Sequence, residues 1–230
     1  MIITIDGPAG AGKSSVARAL ARRLGFRFLD TGAMYRAVAL AGMRRGLDWD
    51  VPADLARLAQ QLQFKLAGDR LLLDGEDVTE AVRTSAVTAV TRYAADNPRV
   101  REHLVKLQRL LAGQDNVVSE GRDQGTVAFP DAECKIFLTA SPAERARRRL
   151  SDLQFQGEPV SLEQVLAAQA RRDREDASRP VGPLVPAADA LEVCTDGMTL
   201  EEVVDRLEGV ARGRMTHVVG SAPQSRSFNP

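Results

Sequence analysis

A glycine-rich octapeptide, GPAGAGKS at residues 7–14, is the most informative segment of this 230-residue chain for predicting its fold. It follows the β-branched run MIITID and precedes a segment with apolar residues at helical spacing. Every fixed position of G-x-x-x-x-G-K-[ST] is filled, in the strand-loop-helix context that the motif requires. The backbone N–H groups of such a loop point into one concavity and the helix start adds partial positive charge, so the loop suits phosphate groups. We therefore predict a nucleoside triphosphate site in which Lys13 bridges the β- and γ-phosphates and Ser14 ligates Mg²⁺.

Short apolar strands alternate with helices along most of the chain, which predicts an α/β fold with a central parallel sheet and helices on both faces. The segment Gln63–Asp77 instead alternates around two glycine turns, which predicts a small β-hairpin or meander. We expect residues 1–62 and 96–212 to form the core, residues 63–95 a small inserted subdomain, and residues 213–230 a flexible tail. The predicted strands are 1–6, 26–29, 116–119, 134–139 and 188–194, and the predicted helices are 14–24, 31–45, 52–62, 78–96, 98–113, 142–153, 161–176 and 200–212.

The composition excludes several classes of protein. Lysine plus arginine (31) and aspartate plus glutamate (31) balance, so the chain lacks the basic excess of a protein held on nucleic-acid phosphates. Only two histidines are present, His103 and His217, which argues against a histidine-based zinc site or a Ser-His-Asp triad. Cys134 and Cys194 lie in apolar, strand-like segments and are expected to be buried thiols.

No apolar run is long enough to span a bilayer, and the first residues do not resemble a secretion signal. We therefore expect a cytoplasmic protein without membrane or nucleic-acid partners. We expect a monomer, because a single core uses all the predicted apolar faces.

Three further polar clusters are candidates for the ligand-binding edge of the sheet. LDTGAMYR at residues 29–36 and SEGRDQGT at residues 119–126 each follow a predicted strand, and ligands bind at strand C-termini in such sheets. In RRDREDASRP at residues 171–180, Arg172 and Asp176 share a helix face with Arg179. Taken alone, the first two clusters are also typical of capped helix starts or loop salt bridges, and the third of a solvated charged face.

With GPAGAGKSS, these clusters resemble the bacterial cytidylate kinase family, in the same order and at matching spacing. The resemblance includes RVREHLVKLQR at residues 99–109, SEGRDQGTVAFPDAECKIFLTAS at 119–141 and RRDREDASRPVGPLVPAADAL at 171–191, and covers about residues 1–212. It implies a P-loop kinase three-layer fold with residues 63–95 as a small β-containing insertion that binds a nucleoside monophosphate, and a helical lid at about residues 151–170. It also implies Mg-dependent transfer of the γ-phosphoryl group of ATP to CMP or dCMP.

The resemblance implies roles for individual residues. The implied catalytic residues are Lys13, Arg122, Arg148 and Arg172. The implied ATP-binding residues are Gly7, Pro8, Ala9, Gly10, Ala11, Gly12, Lys13, Ser14, Ser15 and Arg148. For CMP, the implied phosphate ligands are Thr31, Arg36 and Arg122, the implied cytosine contacts are Thr91, Arg101 and Asp123 with Arg179 nearby, and the implied sugar contacts are Arg172 and Asp176.

Three positions depart from the family pattern. Thr31 stands where a serine is common and keeps the hydroxyl, and Glu120 stands where an aspartate is common. Counted back from Pro98 without a gap, Arg92 falls where the family has a base-contacting serine. Thr91 is one residue off that register and is retained for its hydroxyl.

The chemistry of this reaction also suits the residues present. A nucleoside monophosphate is largely ionised near neutral pH (second pKa about 6), so it needs no general base, and arginines supply the charge that two phosphates require. A carboxylate such as Asp123 is the natural acceptor for the cytosine amino group. Two other readings stay open: a P-loop kinase acting on UMP, AMP or shikimate, and a nucleotide-gated regulatory module that hydrolyses ATP slowly.

Overall fold

A computed structural model of the chain describes residues 1–155, 157 and 159–220, with the backbone alone for 217–220. The strands in chain order are β1 (Ile2–Asp6), β2 (Arg27–Asp30), β3 (Phe64–Ala67), β4 (Arg70–Leu73), β5 (Glu76–Asp77), β6 (Val117–Glu120), β7 (Cys134–Thr139) and β8 (Leu191–Cys194). The helices are α1 (Lys13–Leu24), α2 (Thr31–Arg44), α3 (Pro52–Gln61), α4 (Ser85–Ala95), α5 (Pro98–Ala112), α6 (Pro142–Phe155), α7 (Leu162–Ser178) and α8 (Leu200–Gly220).

The central sheet has five parallel strands in the order β2-β6-β1-β7-β8, which confirms the predicted fold class. Because β1 lies in the middle, the glycine-rich loop that follows it leaves the centre of the carboxyl edge. The register pairs Asp30 of β2 with Glu120 of β6, and Ile5 of β1 with the same Glu120. Three acidic side chains, Asp6, Asp30 and Glu120, therefore end adjacent strands at this edge.

Two buried apolar clusters cover the two faces of the sheet. On one face, Val16 and Leu20 of α1 pack with Val204 and Leu207 of α8 against Ile5 and other strand residues. On the other face, α2, α3, α4 and α5 share a cluster with Leu29 and Val117. Burying one such Leu or Val side chain stabilises the fold by about 1.5–3 kcal/mol. Within the described residues, none of the helices combines the length and apolarity needed to cross a membrane.

The segment predicted as a hairpin or meander forms a separate antiparallel sheet of β3, β4 and β5. Leu71 and Leu73 of β4 are buried in the same cluster as α2, so this sheet packs on α2. A bidentate ion pair at 2.7 and 2.8 Å between Arg44 and Glu76 ties its outer strand to the same helix.

Four details differ from the sequence-based predictions. The helix predicted over 78–96 begins only at Ser85, because Thr84 adopts an extended conformation and caps α4 after a 3₁₀ turn at Ala81–Arg83. A π-helical turn, Gln124–Ala128, follows β6 and was not predicted. The last helix continues past residue 212 to Gly220, and residues 221–230 of the predicted tail lie outside the described part of the chain.

The fourth difference concerns the cysteines. Cys134 is buried as expected, and burial raises the pKa of its thiol to about 11. Cys194 is exposed, so the prediction of a second buried thiol was wrong. It lies in β8, the edge strand of the sheet, where the side chains of alternate residues point outward.

Candidate active site

The loop at residues 7–14 wraps the end of β1 in the way the motif predicts. Gly7 has a φ of +146°, and a Cβ at this position would overlap the backbone carbonyl oxygen of Leu138 in the neighbouring β7, so only glycine fits there. The side chain of Lys13, the first residue of α1, turns back over the loop and its Nζ donates to the Pro8 carbonyl at 2.8 Å. Ser15 is exposed next to it in the first turn of α1.

Positive charges from four separated segments lie close together beside the loop. Burial, together with the nearby Arg122 and Arg172, lowers the pKa of Lys13 from 10.5 to about 7, while Glu120 opposes the shift. Burial, together with Arg122 and Arg36, likewise lowers the pKa of Arg172 to about 10. Because cations depress one another's pKa only at close range, the structure brings together Lys13, Arg36, Arg122 and Arg172.

Asp176 on α7 balances part of this charge. It accepts from Nε of Arg122 at 2.8 Å and from Nη2 of Arg179 at 2.7 Å, and Nε of Arg179 also reaches Asp96 at 2.7 Å. Burial alone would raise the pKa of Asp176, but Arg122, Arg172 and Arg179 outweigh burial and lower it. Asp176 and Arg179 of the third predicted cluster therefore belong to a buried ion-pair network, whereas Arg171, Arg174 and Glu175 of the same cluster are exposed.

A second buried ion pair lies beside this network. Nη2 of Arg101 on α5 pairs with Oδ2 of Asp123, and both side chains are less than 5% exposed. Nη1 of Arg101 donates to the Ala95 carbonyl at 3.0 Å, and its guanidinium lies over the Tyr35 ring, 5.4 Å from the centroid. The pair is thus held by α4 and α2 as well as by its own elements.

Thr91 is less available to contact a ligand than the other residues predicted to bind CMP. Its hydroxyl is buried and donates at 2.7 Å to the Val87 carbonyl within its own helix, α4. The alternative in register, Arg92, is exposed and lies over the ring of its neighbour Tyr93.

Arg148 on α6 borders the glycine-rich loop. A methyl group on Gly12 would lie 3.8 Å from Nη1 of Arg148. Three contacts hold the guanidinium: Glu144 at 2.9 Å and the hydroxyl and carbonyl of Thr195 at 3.0 and 2.9 Å. These contacts hold Arg148 beside the glycine-rich loop.

Ser14 and Glu120 form a set of oxygen donors next to the loop. Oγ of Ser14 donates to Oε1 of Glu120 at 2.7 Å, and the Thr31 hydroxyl donates to the Glu120 backbone carbonyl at 2.7 Å. Burial and the neighbouring Asp30 raise the pKa of Glu120. Hydroxyl and carboxylate oxygens are the ligands that Mg²⁺ accepts, directly or through water, so the residues present fit this ion.

Two residues of the site were missed by the sequence reasoning. Asp6 accepts the backbone N–H groups of Gln124 and Gly125 at 2.8 and 2.7 Å and thereby fixes the turn that follows Arg122 and Asp123. The position of Asp6, an acidic residue at the end of an apolar strand, could have indicated its role from the sequence. Arg145 is buried on α6 and donates to the Ala9 carbonyl of the loop at 3.1 Å, and its sequence context carried no comparable signal.

Comparison with known proteins agrees with these features. The sequence model of the family described as "Cytidylate kinase" matches residues 3–212. A cytidylate kinase of Rhodopirellula baltica is 54% identical over 92% of this chain and 93% of its own. A cytidylate kinase of Pelotomaculum thermopropionicum is 52% identical over 92% and 96%. Among solved structures, an uncharacterized protein from Eubacterium ventriosum shares the fold, with a TM-score of 0.52 at 11% identity over 92% of this chain and 98% of its own.

The resemblance drawn from the sequence motifs is thereby confirmed. The matched region contains the glycine-rich loop, the clusters after β2 and β6, and the acidic and basic network on α7. The chain belongs to the cytidylate kinase family.

Proposed function

We propose that this chain transfers the γ-phosphoryl group of ATP to CMP or dCMP, giving ADP and the corresponding diphosphate. The observation that carries the proposal is a cluster of cations at the phosphate loop, in which Arg122 and Arg172 lie near Lys13 and Arg36 lies near both arginines. Two phosphorylated ligands that meet end to end need such a cluster, since their negative charges repel each other. A single nucleotide-binding site would not require cations from so many segments.

On the donor side, the loop amides and the N-terminus of α1 would bind the β-phosphate of ATP. Lys13 would move from the Pro8 carbonyl to the β- and γ-phosphates, and Arg148 would contact the phosphates from α6. Ser14 would hold Mg²⁺ directly, and Glu120 would orient the Ser14 hydroxyl or a metal-bound water. When bound, the ion neutralises charge that develops on the transferred group.

On the acceptor side, the monophosphate would lie between Arg36, Arg122 and the Thr31 hydroxyl. Its second ionisation has a pKa of about 6, so the attacking oxygen carries its charge at neutral pH without a base. Arg172 and Asp176 would contact the sugar, with Arg179 holding Asp176 in place at 2.7 Å. The arginines stabilise charge on the equatorial oxygens, an effect worth about 10³–10⁵ in rate where arginine fingers have been measured.

The base would be recognised by the buried Arg101–Asp123 pair. Asp123 would accept the N4 amino group of cytosine, and Arg101 would donate to the base from the same pair. Uracil presents a carbonyl oxygen at that position, which would leave two acceptors facing each other, so UMP would be used poorly. Thr91 remains a further proposed base contact, with its hydroxyl turned from Val87 toward the ligand.

We assign the small sheet and α4, within residues 63–95, to the monophosphate side, and residues 151–170 to a lid. The lid proposal is supported by a small apolar cluster of Ala146, Leu153 and Val165 between α6 and α7, apart from the two main clusters. Nε2 of Gln169 on α7 donates to the Ala9 carbonyl of the phosphate loop at 3.2 Å. A lid in contact with this loop would exclude water from the reacting phosphates.

The proposal is tested by an ADP-release assay with CMP, dCMP, UMP, AMP and shikimate as acceptors. We expect fast release with CMP and dCMP and slow release with the others. Asp123→Ala should reduce kcat/KM for CMP by about 10- to 100-fold, as expected for one lost base contact, and leave KM for ATP unchanged. Asp50→Ala, which alters an exposed aspartate before α3, is the matched control. ADP release that does not depend on an acceptor would contradict the proposal and favour a regulatory module.

A further inference from the structure

We propose that Gly182, in the loop after α7, is a positioning residue that orients the Asp123 carboxylate for base recognition. The inference rests on the base-reading role proposed above for Asp123. It gives a role to a residue that the motifs contain without assigning it one and that is not a member of the ion-pair network.

The backbone of Gly182 lies directly on the Arg101–Asp123 pair. Gly182 is buried with a φ of +63°, and a Cβ at this position would come closer than 3.0 Å to Nη2 of Arg101 and to Oδ2 of Asp123, and 2.8 Å from the Arg101 Cζ. Real Cβ atoms essentially never approach other atoms so closely. Only glycine therefore fits between this loop and the ion pair.

The loop is anchored on both sides of Gly182, so it cannot withdraw freely. Before it, Arg179 is held by Asp176 and Asp96, each at 2.7 Å. After it, the Leu184 N–H donates to the Asp176 backbone carbonyl at 2.8 Å, and the Val185 N–H closes a three-residue turn on the Pro183 carbonyl at 3.0 Å. These bonds fix the distance between the Gly182 backbone and Asp123.

This placement determines which carboxylate oxygen a ligand meets. Oδ2 of Asp123 is enclosed by Arg101 and by Gly182, so Oδ1 is the oxygen left to accept a hydrogen bond from a base. A partial rotation of the carboxylate would move Oδ2 out of this position and weaken its charge-assisted bond to Arg101. Gly182 thereby helps to hold Oδ1, an acceptor, where it would bind the amino group of cytosine and repel the carbonyl oxygen of uracil.

The test compares Gly182→Ala with Gly46→Ala. Gly46 has a nearly equal φ of +60° but no atom within 4 Å of an added Cβ, so it controls for the backbone strain alone. We expect Gly182→Ala to raise KM for CMP by about 10- to 100-fold, the effect of a contact displaced by about 1 Å, and to reduce the preference for CMP over UMP. KM for ATP should stay unchanged. Equal CMP kinetics in the two variants would overturn the inference.

A double variant separates positioning from a general structural effect. In an Asp123→Ala background, Gly182→Ala should cause little further loss of CMP selectivity, since residues that act through one another are not additive. A full additional loss would overturn the inference. If Asp123→Ala leaves the preference for CMP over UMP intact, the proposed role of Asp123 is wrong. If Asp123→Ala abolishes this preference and Gly182→Ala does not alter it, only the positioning role of Gly182 is wrong.

Leu184→Pro gives an independent test that adds no atom to the ion pair. It removes the amide that anchors the loop to Asp176, and the central residue of such a three-residue turn has a φ near −75°, which proline accepts. The loosened loop lets Gly182 move off Asp123. We expect a lower preference for CMP over UMP with KM for ATP unchanged, and an unaltered preference would overturn the inference even if Gly182→Ala does not fold.

Discussion

Replacing Asp6 by asparagine should change how the stability of the protein depends on pH. Asp6 is buried at the end of β1, and burial raises its pKa from 3.8 to about 6, although the N–H groups of Gln124 and Gly125 and the charge of Lys13 oppose the shift. The folded state thus binds the Asp6 proton more tightly than the unfolded state. Its contribution to stability is complete below pH 3.8 and is lost as pH rises through about 6.

The magnitude follows from the size of the shift. A pKa difference of about two units corresponds to about 3 kcal/mol in the free energy of unfolding, of which about 2 kcal/mol falls between pH 4.5 and pH 7. Asparagine does not titrate, and it also turns an amide NH₂ toward one of the two backbone donors. We therefore expect Asp6→Asn to be less stable than the parent protein at pH 4.5. The difference between the two free energies of unfolding should be smaller at pH 7 by about 2 kcal/mol.

Urea denaturation of both proteins between pH 4.5 and pH 7 measures this difference directly. Titration of groups distant from Asp6 occurs in both proteins and cancels in the comparison. Equal slopes of the denaturant dependence would show that the two unfold to states of similar exposure. A difference that stays constant, or that widens as pH rises, would refute the assignment of a raised pKa to Asp6.

Two further variants test the donor side of the site. Lys13→Met should reduce kcat by about 10²–10³. The midpoint of urea unfolding should stay equal or rise, because the change removes a buried charge that Arg122 repels. A large loss of stability would contradict the proposed cluster of cations. Arg145→Ala should raise KM for ATP about 10-fold more than Arg147→Ala does, since Arg145 is buried against the phosphate loop and Arg147 is exposed. Equal ATP kinetics in the two arginine variants would show that the contact with the loop does not matter for binding.

Local sequence patterns predicted the elements that depend on neighbouring residues. The strand, glycine-rich loop and helix around residues 7–14 are in place, and α7 begins close to the predicted start, where Ser161 and Gln164 form a capping box. The helix predicted over 78–96 was too long because its composition does not reveal that Thr84 takes the extended conformation of a cap. Cys194 was misjudged because the position of β8 at the edge depends on the strand order, which periodicity does not contain.

Only those residues of the candidate site that belong to recognisable motifs could be predicted from the sequence. Arg36, Arg122 and Arg172 lie far apart in sequence. They meet because β2 and β6 lie side by side and α7 brings Arg172 close to the other two arginines. The resemblance to a family supplied that information, and residue spacing did not. Sequence reasoning did not identify Gly182 and Arg145, because their roles depend on the atoms that they contact in the folded structure.

The pKa values of the site also indicate how the cluster of cations affects the stability of the protein without ligands. Burial and mutual repulsion lower the pKa of both Lys13 and Arg172, which means that holding their charged forms together disfavours the folded state. Asp176 compensates for Arg122 but not for the whole cluster. Phosphate groups bound among these side chains would remove the repulsion. The same geometry that lowers the stability of the protein without ligands would thus strengthen binding when both phosphates are present.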